Sequence, residues 1–129
     1  MTPEAQDLIS LRLAQADESL KEARRLIDSK TCRGAMERVY STMFYCACAL
    51  LASKEFGPSR DGDVAAKFQR EFIKTGLIPP EFGERFKRAT QLQADADLGA
   101  RPAPDCERMK QLLADAESFL MTTKLFLGK

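Results

Sequence analysis

Residues 39–53, VYSTMFYCACALLAS, carry no charge, and they are framed by Glu37 and Arg38 on one side and Lys54 on the other. A membrane-spanning helix needs about 20 predominantly apolar residues. This run has 15 and is diluted by Ser41, Thr42 and two tyrosines, so it reads as a core helix and no membrane partner is expected. On a helix, Met36, Tyr40, Met43, Ala47 and Leu50 share one side, while Val39, Phe44, Cys46, Ala49 and Leu51 fill the other angles. A helix that is apolar nearly all round is buried on more than one side. It lies at the centre of a bundle or on a face shared with a second subunit, and a homodimer is expected on that ground.

The flanking segments supply the rest of the bundle. Thr2-Pro3-Glu4 has a hydroxyl cap, proline at the first helical position and an acid in the first turn, which together predict a helix start. Ile9, Leu13, Ala16, Leu20, Ala23 and Ile27 then recur at spacings of 4, 3, 4, 3, 4, the mark of an amphipathic helix with one apolar seam. Its other faces carry Glu18, Lys21, Glu22, Arg24 and Arg25 and read as solvated. The second helix begins near Cys32. Residues 54–62 form a loop, and Asp61 or Asp63 can cap a short third helix marked by Val64, Ala65, Phe68 and Phe72 and ended by Gly76. Pro79 and Pro80 start a fourth, with Phe82, Phe86 and Ala89 at helical spacing, running to about Asp97. Residues 98–104 break it, and Pro104 with Asp105 opens a fifth, whose Met109, Leu113, Ala116, Leu120, Thr123 and Leu127 repeat the first seam. No run alternates with period two. The expectation is an all-α, up-down bundle of about five helices forming a single domain over residues 1–129.

Composition narrows the chemistry. Twenty basic residues stand against 19 acidic ones, so there is no general attraction to a polyanion. The four cysteines, Cys32, Cys46, Cys48 and Cys106, lack zinc-ribbon spacing, and the amino-terminal residues are polar. They read as packing thiols in a reducing cytoplasm, with no metal and no cofactor. Cys46 and Cys48, two apart on a helix, leave it on different faces. The chain has no histidine. That removes histidine-dependent triads, the commonest general acid/base and the Glu-x-x-His ligand pairs of di-iron bundles.

A few polar groups remain as candidates. Arg85-Phe86-Lys87-Arg88 could touch a phosphate backbone, but Phe86 falls on the apolar side of its helix. Residues 60–88 hold seven basic side chains against five acidic, the balance of a solvated face. Arg38, at the head of the apolar helix, either snorkels to water or needs an acid. Glu37 is adjacent in sequence and points elsewhere on a helix. Asp97 is therefore the first expected partner and Asp95 the second. Those two aspartates, two apart near a helix end, otherwise read as a solvated or capping pair.

RVYSTMFYCACALL (38–51), preceded by AQADESLKEARRLID (14–28) and followed by FQREFIKTGLIPPEF (68–82) and ADLG (96–99), resembles the HEPN domain proteins. The likeness is to their small prokaryotic branch with an Arg-x-Tyr-Tyr-Ala-x-Phe pattern on the second helix. It implies a helical bundle, frequently dimeric, often partnered with a minimal nucleotidyltransferase in toxin–antitoxin or defence modules. Arg38, Tyr40 and Phe44 match the pattern, while Ser41 and Thr42 depart from it. Asp97 matches the aspartate of the branch's Arg-x-x-Ala-Asp-Tyr pattern, with Gln93 and Leu98 in place of its arginine and tyrosine, and Asp61 stands where a histidine is often found. Active members cleave RNA at an Arg-x4–6-His motif, which a chain without histidine lacks. The resemblance therefore implies a non-catalytic binding or interaction module, with a polar site at Arg38, Tyr40, Asp95 and Asp97. The alternative is an RNA-processing or nucleotide-binding enzyme that uses Arg38 and the two aspartates without histidine.

Overall fold

The computed structural model describes residues 1–57, 61–99 and 102–129, apart from the side chains of residues 61 and 62. Arg60 and the side chain of Asp61, in its expected capping and histidine-replacing roles, lie outside them. The described residues form five α-helices: α1 (Pro3–Asp28), α2 (Ala35–Ser53), α3 (Asp61–Phe68), α4 (Pro80–Asp97) and α5 (Cys106–Leu127). A 3-10 turn (Cys32–Gly34) precedes α2 and a π-helical turn (Gln69–Ile73) follows α3, with no strand among the described residues.

α1 starts where its sequence says it should. Thr2 Oγ1 accepts the Ala5 N–H at 3.1 Å with Pro3 next in line, and all six residues of the seam are buried. The chain reverses through Lys30, whose φ is +63°, and α2 returns against α1. α2 then touches α1, α3, α4 and α5. Val39, Met43, Cys46, Ala47, Ala49 and Leu50 have no exposed surface within a single chain. Tyr40, Phe44, Tyr45 and Cys48, on the same helix, are only partly covered, so a strip of α2 stays at the surface of a single chain.

α5 departs from its expected stripe. Its buried residues are Met109, Leu112, Ala116, Phe119, Leu120 and Thr123, whereas Leu113 and Leu127 are only partly covered. The cause is Phe119. Its ring lies 5.5 Å from Phe68, 5.6 Å from Phe82 and 6.1 Å from Phe86, so α5 is rotated to put Phe119 into an aromatic cluster built by α3 and α4. Rings at such separations add to the burial of their area.

The π turn belongs to this end as well. Lys74 N–H reaches Gln69 C=O, five residues back, at 2.9 Å. α4 approaches so closely that a Cβ on Gly83 would sit 3.0 Å from both Gln69 Oε1 and Ile73 Cγ1. Lys54, just past α2, donates to Glu71 C=O at 2.6 Å and lies over the Phe72 ring at 4.8 Å. The Arg70 guanidinium bond, followed by that of Lys54, holds the Glu71 carboxyl below its usual range.

The opposite end is joined covalently. Cys32 and Cys106 form a disulfide, with Cα atoms 5.1 Å apart and a sequence separation of 74. This corrects the expectation of four packing thiols: the partners are brought together only by the docking of α5 on the α1–α2 turn. Cys46 is a free packing thiol, and burial pushes its pKa up to about 12. No helix among the described residues is long and apolar enough to cross a membrane.

Candidate functional site

The polar group that stands out is at the head of α2. Arg38 is half exposed, with Nη1 3.2 Å from Glu22 Oε2 and Nη2 2.8 Å from Glu37 Oε2. Ser41 Oγ donates to the other Glu37 oxygen at 3.3 Å. One guanidinium is therefore met by two carboxylates, one from α1 and one from its own helix.

This arrangement corrects the expected pairing. Asp97 Oδ1 accepts from Gln93 Nε2 at 2.8 Å and Asp95 Oδ1 from Gln91 Nε2 at 2.9 Å, so both acids are tied along α4. Neither pairs with Arg38. Adjacent Cβ atoms diverge on a helix, but two long side chains at its surface can curl toward each other, and Glu37 does so. Glu22 was hidden among the charges of a solvated face. Its signal was register: in an antiparallel helix pair turning near residue 31, residue 22 falls level with residues close to 40.

Tyr40, half-buried, points the other way, toward α4. Its ring is 6.0 Å from Phe44 and 6.3 Å from Phe86, nearly parallel to the latter at 20°. Phe86 in turn meets Phe68 and Phe119, so Tyr40 couples the head of α2 to the aromatic cluster. Gln93, in the place of the family arginine, has its Oε1 buried without a hydrogen-bond partner. Of the expected site residues, Arg38, Asp95 and Asp97 are not brought together: the guanidinium meets Glu22 and Glu37, and each aspartate meets a glutamine of its own helix.

The basic cluster on α4 is divided. Phe86 is buried, as expected. Arg85 is committed to Asp115 on α5 at 3.4 Å and lies over the Phe82 ring at 5.3 Å. Lys87, with Gln69, Thr90 and Gln91, edges a cleft of about 360 Å³ between α3 and α4, floored by Ala65, Ala66 and Gly83. Among the described residues no group of histidine, cysteine or acidic side chains is placed to hold a metal.

The chain has clear relatives. The HEPN domain family model matches residues 9–126. A protein of Methanocaldococcus jannaschii named "Putative toxin" is 34% identical over 89% of this chain and 78% of its own length. A UPF0332 protein of Thermotoga maritima is 32% identical over 91% of this chain and 89% of its own. A UPF0332 protein of Gloeobacter violaceus is 28% identical over the full length of both. The described residues form an all-helical bundle and the family model spans nearly all of the chain, which belongs to the HEPN domain family.

Proposed function

We propose that this chain is a non-catalytic interaction module of a toxin–antitoxin or defence-type system. In this reading residues 1–129 act as one domain, a homodimer in the cytoplasm, partnered with a minimal nucleotidyltransferase. The surface around Arg38 and Tyr40, with Asp95 and Asp97 on α4, is the contact region.

The observation that carries the reading is the pair of carboxylates on Arg38. Two acids on one cation leave this spot with a net charge of about −1, and a nucleotide or RNA phosphate would have to displace a carboxylate to reach the guanidinium. A protein partner presenting its own cations meets no such barrier. The absence of histidine supports the same direction, and the relatives whose names read "Putative toxin" support the toxin–antitoxin setting alone. Nothing in the geometry favours the enzymatic alternative, since Asp95 and Asp97 are bonded to glutamines and not to Arg38.

Co-expression with a minimal nucleotidyltransferase, followed by light scattering and mass identification, tests the reading. The expected result is a stable complex with two copies of this chain, weakened by reversing charge at Glu22 and Glu37. A monomer at tens of micromolar that ignores the nucleotidyltransferase would contradict it.

A further inference from the structure

The Cys32–Cys106 bond joins the α1–α2 turn to the first residue of α5, and its two sulfurs are unequally placed. Cys32 is buried, whereas Cys106 is only partly covered. Cys106 also lines an open cleft of about 400 Å³ with Ile27, Asp28, Lys30, Glu107 and Lys110. Two cations and two anions line it, so an approaching thiolate is neither drawn in nor turned away. Little else holds the first turn of α5. Asp105 caps it through the Arg108 N–H at 2.9 Å, and the Lys110–Glu107 pair is exposed. The first wholly buried anchor on the helix is Met109, followed by Leu112.

A second cleft, of about 440 Å³, lies beside the bond and is lined by Arg33, Ala96, Gly99, Pro102 and Ala103. Arg33 follows Cys32 directly, and Pro102 and Ala103 lead to Cys106. Cys46, with its thiol kept neutral by burial, takes no part in such chemistry.

We propose that Cys106 is a thiol-exchange site for a low-molecular-weight thiol such as glutathione, and that the Cys32–Cys106 bond is a redox latch on this end of the bundle. A thiolate entering the cleft attacks Cys106 Sγ, and the bond to Cys32 breaks. Cys32 leaves with the electron pair and takes up a proton, and Cys106 carries the mixed disulfide. A second thiolate attacks the bound thiol's sulfur, releasing Cys106 as a thiolate that is then protonated. Two thiols are oxidised to one disulfide, and the protein disulfide gains two electrons and two protons. The freed first turn of α5 then opens up to the Met109 anchor while the rest of the core stays closed.

The test uses the full chain. Alkylation in denaturant, read by mass, should give two adducts before reduction and four after. In glutathione redox buffers without denaturant, peptide mapping should place a glutathionyl adduct on Cys106. The Cys32→Ser variant, which frees Cys106, should carry that adduct in higher yield, and Cys106→Ser should not form it. Hydrogen exchange of amides in residues 106–109 should quicken about tenfold or more on reduction, with α2 unchanged. Four free thiols in the air-exposed protein, reduction only at denaturant concentrations that unfold the domain, an adduct on Cys48 in place of Cys106, or a uniform rise in exchange would each overturn the proposal. The wild-type measurements stand by themselves if either variant fails to fold.

Discussion

The two ends of this bundle are held by different physics. At one end Phe68, Phe72, Phe82, Phe86 and Phe119 are buried together from three elements and a π turn. At the other, the α1–α2 turn is secured by a disulfide and by half-exposed ion pairs on Arg38. The first kind of attachment is non-directional and large, insensitive to salt or thiols. The second is small where it is ionic and conditional where it is covalent.

Phe119→Ala should break the comparison most severely. Removing a buried aromatic that touches three others should cost about 3–5 kcal/mol by transfer and cavity terms together, read by urea unfolding. A loss under about 1 kcal/mol would mean that the cluster is not the stable end. Gly83→Ala should come next, at about 1–3 kcal/mol, because the new Cβ would press on the π turn at 3.0 Å. If that variant is as stable as the parent, α4 and the π turn are less tightly docked than the structure has them.

Cys46 adds a pH signature to the buried part of the molecule. Its thiol pKa is raised from the ordinary 9.0 to about 12 by burial. The stability tied to the neutral thiol is complete below pH 9. As the pH rises through 9 the unfolded chain ionises first, so that stability is lost progressively up to about 12. Between pH 9 and 10 the loss should be about 1 kcal/mol, and Cys46→Ala should flatten the slope by that amount. A variant with the parent's slope would show that another group titrates there.

The smallest effect belongs to the polar end. Arg38→Ala should cost about 0–1 kcal/mol, since its partners are exposed, and the difference should shrink in high salt. A cost of 3–5 kcal/mol would indicate a buried pair of the kind first expected with Asp97.

The contrast also explains what could be read ahead of the structure. α1 was legible because its seam is set by local spacing, and the central place of α2 followed from its lack of a polar face. On α5 the spacing found Met109, Ala116, Leu120 and Thr123 but missed Leu112 and Phe119, because Phe119 answers to residues on α3 and α4, which no local period contains. The disulfide joins positions 74 apart, and no spacing motif marks it. The site was less legible than the fold. Arg38 was found as the charge at the head of an apolar helix, but its acids, Glu22 and Glu37, were judged by sequence neighbourhood. They needed the hairpin register and the length of a glutamate side chain.

The central claim is that Arg38 stands neutralised among carboxylates and does not serve as a phosphate receptor. A titration of labelled single-stranded RNA with the wild-type chain, repeated across salt concentrations, tests it most directly. The account predicts no saturation up to about 0.1 mM, the weak limit of non-specific nucleic-acid binding, at physiological salt. Saturable binding whose affinity falls with rising salt and vanishes in Arg38→Ala would contradict it.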